Sequence, residues 1–412
     1  MTGKLNLLIP CLMMAMVTFT GCGDDNNDGP TGGSVLSAEQ SKEKLSEIGQ
    51  NLISLINADD QKQLARVGDY FSEIAGSLDI QEKESMQQMV HSLVAASQGN
   101  MAKVYSLAAM DNEIYQISDY YGIYTYNKQN NDWDNVESTS ELTFKFGYEN
   151  KDAEIKIAAT GNTTDITYDG VTVKVPAKLT ATIKLGSTTL TSFEIATANV
   201  SNAPRKADIT ANIDASGYKV AATVSAGPQA VKAGYSITIK DTEVVKGEGY
   251  LNGSNMTADE GKDENIANRF NDARIEAVIM GEATVALQCS SYKNLARELE
   301  EVEDLYDTEA ELWGESQKAA QATANVYNKY LNGSLAFGGS DESSATFVFQ
   351  PYIYYTSSYG GKREYWDSEP LLKFGDESLI SFDNYFDAAS GPFKSLADSF
   401  DALVRSFEGF IE

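Results

Sequence analysis

The chain has 412 residues, of which 42% are hydrophobic, and a formal net charge of −28 at pH 7. This acidity excludes nucleic acids and acidic membrane surfaces as partners, because both require a basic face on the protein. The length is ample for a packed core in one or two domains.

The N-terminus has the three zones of a secretory signal peptide. Met1–Lys4 carries one positive charge, Leu5–Phe19 is almost wholly apolar, and two small residues then precede Cys22. The apolar run of about 15 residues is shorter than the roughly 20 that a membrane-spanning helix needs. We therefore predict that residues 1–21 are a signal peptide and that the chain does not span a membrane.

The residues around Cys22 resemble two motifs of bacterial lipoproteins. Gly21-Cys22 is similar to a lipobox, with Phe19 where the usual motif has leucine. The resemblance implies that the Cys22 thiol is acylated, for example with palmitate. The acidic run from Cys22 to Asp28 resembles the export signal of Bacteroidetes surface-exposed lipoproteins, which implies a lipid-anchored protein of the outer membrane that faces the cell exterior. Residues 22–36 also have the composition of a flexible tether, and both interpretations can hold together.

The remaining sequence offers few groups for catalysis or metal binding. Once Cys11 is removed with the signal peptide and Cys22 is acylated, Cys289 has no cysteine with which to form a disulfide. The only histidine, His91, falls in a helical pattern and is expected to be structural. No Cys/His spacing for zinc and no phosphate-binding glycine loop occurs. We expect no enzymatic activity, no metal and no cofactor, although a hydrolase that uses a pair of carboxylates stays open.

Residues 37–110 have the pattern of a helical segment. Ser37 and Gln40 match a capping box, which marks a helix N-terminus. Three apolar stripes with helical spacing follow. They contain Leu45, Ile48, Leu52, Leu55 and Ile56, then Leu64, Val67, Phe71, Ile74 and Leu78, and then Met86, Met89, Val90, Leu93, Val94, Met101 and Val104.

From about 112 to 250 the apolar period changes to two, as in Val171, Val173 and Val175. Turn signals such as Asp169-Gly170 separate these runs, so the pattern predicts an antiparallel β-meander. The alternate positions are mainly Thr and Lys. We therefore expect one face of the sheet to be wet and the other to need a cover.

Three later segments complete the predicted domain at 111–412. A long helix is expected at about 291–331, a β-hairpin at about 344–374 and a C-terminal helix at about 384–411, with apolar stripes that suit burial against a sheet. The predicted fold class is α+β, an antiparallel β-meander sheet packed against long helices, with an N-terminal helical segment. Whether 37–110 is a separate domain or continuous with the rest stays open.

Aromatic residues form two clusters, one within 115–133 and one within 352–366. Exposed Tyr and Trp side chains would make a platform for stacking sugars, whereas Tyr is also a favoured residue of strand interiors and edges. The candidate ligand-binding residues of the second cluster are Tyr352, Tyr354, Tyr355, Tyr365 and Trp366.

Two segments resemble Bacteroidetes lipoproteins that have no assigned activity: the run from Tyr121 to Trp133 with the strand at 142–148, and Leu371–Phe374 with Ser381–Phe386. The sequence thus predicts a non-enzymatic, membrane-anchored surface lipoprotein with a binding or structural role. One alternative is a glycan-binding accessory protein that uses the Tyr/Trp clusters. The other is a carrier of a lipid or hydrophobic ligand in a concave sheet, by architectural resemblance to the half-barrels of periplasmic lipoprotein carriers.

Overall fold

The computed structural model of the chain describes residues 35–75, 121–168, 171–202, 204–257, 266–306, 317–340, 342–358, 361–381 and 391–408. The predicted signal peptide, Cys22, His91 and the third apolar stripe, from Met86 to Val104, lie outside these residues.

The described residues contain 16 strands, and all of them belong to one sheet. From β3 to β16, strands that follow each other in the chain are neighbours in the sheet and are antiparallel, whereas β1 pairs with β3 in parallel and with β2 in antiparallel fashion. The strands are β1 (Gly122–Asn127), β2 (Asp132–Glu137), β3 (Leu142–Tyr148), β4 (Lys151–Tyr168), β5 (Val171–Leu185), β6 (Thr188–Asn202), β7 (Arg205–Ala215), β8 (Tyr218–Ala226), β9 (Ala230–Ile239), β10 (Thr242–Gly253), β11 (Phe270–Ile279), β12 (Ala283–Cys289), β13 (Leu331–Phe337), β14 (Ala345–Ser358), β15 (Gly361–Phe374) and β16 (Leu379–Ser381).

Five α-helices accompany the sheet in the described part of the chain. They are α1 (Ala38–Leu55), α2 (Ala58–Ala75), α3 (Tyr292–Tyr306), α4 (Gln317–Tyr330) and α5 (Lys394–Glu408), and a short 3₁₀ helix lies at Ile266–Arg269. The capping box is present: the backbone N–H of Gln40 donates to Ser37 Oγ at 3.3 Å, and the backbone N–H of Ser37 donates to Gln40 Oε1 at 3.0 Å.

The predicted fold class, an α+β sheet packed against long helices, is wrong. One 16-stranded sheet dominates the molecule, and the described helices are short, with 14 to 18 residues each. The single long helix expected at about 291–331 is replaced by α3 and α4, and β13 already begins at Leu331. The predicted helix does not extend past Tyr330 because the spacing of apolar residues changes there from helical to alternating. Leu331, Leu335 and Phe337 point toward the core as strand residues do.

Gly333 belongs to this strand and is buried. A Cβ on Gly333 would lie 2.5 Å from the ring of Phe347, so the glycine is needed for the close approach of that side chain. The strands β11 and β12 also extend the sheet well beyond the meander expected at about 112–250.

One face of the sheet, here called the covered face, carries the apolar side chains that contact the helices. Helices α1 and α2 follow one another across the strands. Ile48 of α1 packs in a cluster with Leu335 and Phe374, which lie on β13 and β15. Phe71 of α2 packs with Phe144 on β3. Apolar burial at both ends of this helix pair thus ties distant strands of the sheet together.

Polar contacts fix the helix pair to the turns between strands. The Tyr218 hydroxyl, at the start of β8, accepts a hydrogen bond of 2.8 Å from the backbone N–H of Asn57, between α1 and α2. Lys240 forms an ion pair with Asp60 at 2.6 Å, and Lys44 forms one with Glu282. Because the contacts reach turns in the centre and toward one end of the sheet, they define the position of the helices along it.

The other helices also contact the covered face. Leu295 of α3 and Val326 of α4 pack around Cys289 at the end of β12, and burial raises the pKa of the Cys289 thiol. Leu396 of α5 packs beside Ile48 and Leu335. The described helices therefore lie on one side of the sheet.

Candidate functional site: a polar trough on the open face

The face opposite the helices, here called the open face, carries rows of polar side chains. One row runs across β5 to β9, because the strand register places these residues directly beside one another: Thr182, Ser192, Asp214, Lys219 and Thr238. Alternation along these parts of the strands sends the apolar neighbours of these residues, such as Ile183 and Phe193, to the covered face.

Two depressions lie on the open face, and we call them together the polar trough. Their volumes are about 470 and 400 Å³, and they share the strands β7, β8 and β9. No residue of a described helix contributes to either lining. The open-face polar side chains that line them are Thr180, Thr182, Ser192, Glu194, Asn212, Asp214, Lys219, Ser236 and Thr238 in the first depression, and Asp208, Thr210, Thr223, Ser225, Lys232 and Glu248 in the second.

Several charges in the trough are compensated by neighbouring groups. Glu194 forms an ion pair with Lys178 at 2.7 Å, and Lys219 forms one with Asp241 at 2.7 Å. The carboxylate of Asp208 accepts hydrogen bonds from Ser225 Oγ, at 2.6 Å, and from Asn199 Nδ2. These hydrogen bonds, the one from Ser225 first, lower the pKa of Asp208, because they stabilise its charged form.

Neutral polar groups in the trough are available to a ligand. Within the part of the chain that the structure describes, seven of these side chains have no internal hydrogen-bond partner: Thr182, Ser192, Asn212, Ser236 and Thr238 in the first depression, and Thr210 and Thr223 in the second. Hydroxyl and amide groups both donate and accept hydrogen bonds, so the trough can bind a ligand rich in hydroxyl or amide groups. Among the described residues, no group of three or more His, Cys, Asp or Glu side chains is placed to hold a metal ion.

The candidate residues of the second aromatic cluster do not all lie on one face. Tyr352 is 41% exposed and points to the open face, whereas Trp366 is half-buried and pairs with Ile353 on the covered side. In the backbone register Tyr354 pairs with Tyr365, and Tyr355 pairs with Glu364. The side chains of Tyr354, Tyr355 and Tyr365 lie outside the described part, so a sugar platform at these residues stays a prediction.

The first aromatic cluster, within 115–133, contributes to the hydrophobic core in the part that the structure describes. Tyr124 and Trp133 are buried and pack with Phe71 and Phe144, with ring centroids of Trp133 and Phe71 at 6.1 Å. Trp133 Nε1 donates to the backbone carbonyl of Ile74 at 3.2 Å, which satisfies its only polar group. Tyr124 and Trp133 therefore serve core packing and do not form a sugar platform.

The sequence did not single out the residues of the polar trough. The outward Thr and Lys of the predicted meander indicated a wet face, but the rows depend on the register between strands, which a single sequence does not show. Comparisons with protein-family models, with curated proteins and with solved structures found no match. Among the described residues, no helix is both long and apolar enough to cross a membrane.

Proposed function

We propose that this chain is a non-enzymatic surface lipoprotein, anchored to the outer membrane through lipid on Cys22, that binds a neutral, hydroxyl-rich ligand in the polar trough. The observation that supports it most is the trough itself, where hydroxyl and amide groups of neighbouring strands line two adjoining depressions. Such groups recognise hydroxyls by hydrogen bonds in both directions. A neutral polysaccharide is the first ligand class to test.

The charges of the protein favour a neutral ligand over an acidic one. The net charge of −28 repels anionic polymers at low ionic strength, and two of the three lysines in or beside the trough pair with carboxylates, Lys178 with Glu194 and Lys219 with Asp241. The hydrophobic-ligand alternative requires an apolar lining. The lining of the two depressions includes apolar residues such as Phe193, Ile213 and Val224, but most of its open-face side chains are Thr, Ser, Asn or charged, so the trough favours a polar ligand over a hydrophobic one.

The anchor and the trough can be tested separately. Cells that express the full chain are labelled with an alkyne analogue of palmitate, and the label should disappear in the Cys22→Ser variant. Digestion of intact cells by an added protease should remove the wild-type protein if it faces the exterior. Label on the Cys22→Ser variant would contradict the anchor, and full protection from protease would contradict surface exposure.

Binding is tested with the purified Cys22→Ser chain and a panel of soluble neutral and acidic polysaccharides, using isothermal titration calorimetry. In the variant with Thr182→Val, Asn212→Ala and Ser236→Ala, we expect affinity for a bound neutral polysaccharide to fall by at least about tenfold, or about 1.4 kcal/mol. The control carries Thr284→Val, Ser334→Ala and Thr346→Val, also on the open face but outside both depressions. Equal losses in the two variants, or binding of acidic polysaccharides only, would contradict the proposal.

The exposed side chain of Tyr352 offers a bound glycan one further contact outside the trough. Its side chain points to the same face as the trough. A long polysaccharide could therefore bind the hydroxyl groups in the trough and stack on this ring. In that case Tyr352→Ala would weaken binding of long chains more than that of short oligosaccharides.

A further inference from the structure

The hairpin of β14 and β15 extends beyond its neighbours in the sheet. The two strands pair at 14 positions, from Ala345 opposite Phe374 to Ser358 opposite Gly361. On one side, β13 pairs with β14 only at Ala345 and Thr346. On the other side, β16 pairs with β15 only over Leu371–Lys373. Most of the hairpin is thus a two-stranded ribbon.

A side chain takes the place of the missing strand at the base of this ribbon. Asn328 Nδ2 on α4 donates to the backbone carbonyl of Phe349, and the backbone N–H of Phe349 donates to Asn328 Oδ1, both at 2.8 Å. The polar backbone groups of Phe349 therefore point away from β15. Because directions alternate along an antiparallel strand, the same edge carries the backbone groups of Pro351, Ile353, Tyr355 and Ser357. We call this the inner edge of β14.

The two prolines of the hairpin agree with this assignment. Proline has no N–H to donate, so within sheets it occurs at edges and not at positions that must donate to a neighbour. Pro351 lies on the inner edge of β14, and Pro370 lies directly opposite Phe349 on β15, where its nitrogen points away from β14. Among the described residues, no strand pairs with β14 beyond Thr346 on the inner side.

Pro351 and the Asn328 side chain limit strand pairing at the base of the inner edge, but from Ile353 to Ser357 the edge lacks two other features that discourage it, charge and shortness. Short or charged edge strands suppress contact with other chains. At the far end of the sheet, β2 carries Asp132, Asp134 and Glu137, and at the near end β16 has only three residues. Six of the 14 residues of β15 are charged, whereas β14 has no Asp, Glu, Lys or Arg among its 14 residues.

We propose that the inner edge of β14, from Ile353 to Ser357, binds an extended segment of a partner polypeptide as an added antiparallel or parallel strand. Backbone hydrogen bonds supply affinity in this mode of recognition, and alternate side chains supply specificity. The partner segment should have β-branched or aromatic residues at alternate positions and basic flanks, because the chain carries a net charge of −28. The same charge disfavours a second copy of this chain. The site is separate from the polar trough and does not depend on a ligand there.

Amide hydrogen exchange tests whether the edge is open. In the purified Cys22→Ser chain, the amides of Ile353 and Tyr355 should exchange faster than those of Tyr352 and Tyr354, which point toward β15 in the ladder. Equally slow exchange at all four amides would show that the inner edge is already paired and would overturn the proposal.

Binding is tested with peptides of about 12 residues, selected from a random phage-displayed library on the Cys22→Ser chain and then synthesised. Peptide binding should slow exchange at Ile353 and Tyr355, and fluorescence anisotropy should give an affinity that Tyr355→Pro lowers by at least about tenfold. The matched control is Glu364→Pro, since Glu364 is the cross-strand partner of Tyr355 and points to the other edge of the ribbon.

Each remaining outcome counts against the inner edge as a peptide site. Equal losses in Tyr355→Pro and Glu364→Pro would show a general effect of proline on the hairpin. Failure to select any peptide that protects Ile353 and Tyr355 would reject the partner segment. A dimer in light scattering that Tyr355→Pro converts to a monomer would show that the edge pairs with a second copy instead.

Discussion

The part of the sheet under α2 and the part formed by β7 and β8 differ in burial although their strands have the same alternation of apolar residues. On the covered face, Ile183 of β5 is 4% exposed, whereas Ile209 of β7 is 38% exposed. Ile183 belongs to the cluster that contains Phe71 of α2. Alternation therefore decides which face a residue occupies, but a crossing helix decides whether it is buried.

The junction between α1 and α2 explains why β7 and β8 are less covered. Asn57 and Asp60 lie at this junction, and both contact the Tyr218 hydroxyl at the start of β8. On the other side of the same turn, between β7 and β8, Gln61 Nε2 donates to the backbone carbonyl of Ala215 at 2.8 Å. The helices thus meet this turn through polar contacts beside the half-buried Tyr218 and Ala215, whereas the fully buried apolar residues lie in the parts on either side.

The largest effect is expected at the centre of the aromatic core under α2. Phe71 is fully buried, with ring centroids 5.2 Å from Phe144 and 5.4 Å from Phe146. Phe71→Ala should lower the free energy of unfolding by about 3–5 kcal/mol, measured by guanidinium denaturation, because it removes a large side chain and leaves a cavity. Phe71→Leu, as the control, should cost much less. A loss below about 1 kcal/mol for Phe71→Ala would show that α2 does not cover this core.

A matched pair of substitutions tests the comparison directly. Ile183→Ala should cost about 2–5 kcal/mol, as is usual for a buried isoleucine. Ile209→Ala should cost less than about 1 kcal/mol, because its side chain is already 38% exposed. Both residues lie in central strands on the covered face, so their β-propensity is the same. Equal losses in denaturation experiments would show that Ile209 is covered as closely as Ile183.

The same comparison shows what the sequence could predict. The period of two in Val171–Val175 indicated a strand, and β5 spans Val171–Leu185. The apolar stripe of Leu64, Val67 and Phe71 indicated a helix that buries one side. These signals are local and follow from backbone periodicity.

Contacts between distant residues could not be predicted in this way. No local pattern indicates that α1 and α2 run across the sheet, or that β11 to β13 join the meander to the strands at about 344–374 in one sheet. In β11 the inward residues include Ala273 and Ala277, which give only a weak alternation of hydrophobicity. The rows of the polar trough and the unpaired part of β14 both depend on register, and register requires the pairing of strands that are remote in sequence.

The smallest effect on stability is expected at the junction between α1 and α2, where Tyr218→Phe removes the hydroxyl that contacts Asn57 and Asp60. The backbone N–H of Asn57 then loses its hydrogen bond, and the free energy of unfolding at pH 8 should fall by about 1 kcal/mol. Burial first, and then the nearby Asp60 carboxylate, raise the pKa of Tyr218 above its ordinary value of 10.0, although the hydrogen bond with Asn57 opposes this. The folded chain therefore keeps this proton at pH values where the unfolded chain has lost it.

The pH dependence of that loss identifies the hydroxyl as the cause. Where the unfolded state binds fewer protons, stability falls as pH rises. The contribution of Tyr218 is thus fully present below pH 10.0 and is lost as the pH rises through its raised value in the folded chain. The difference in unfolding free energy between wild type and Tyr218→Phe should therefore shrink in denaturation curves from pH 8 to pH 11. A constant difference would show that the tyrosine does not titrate in contact with the helix junction, and that β8 is joined to α1 and α2 in another way.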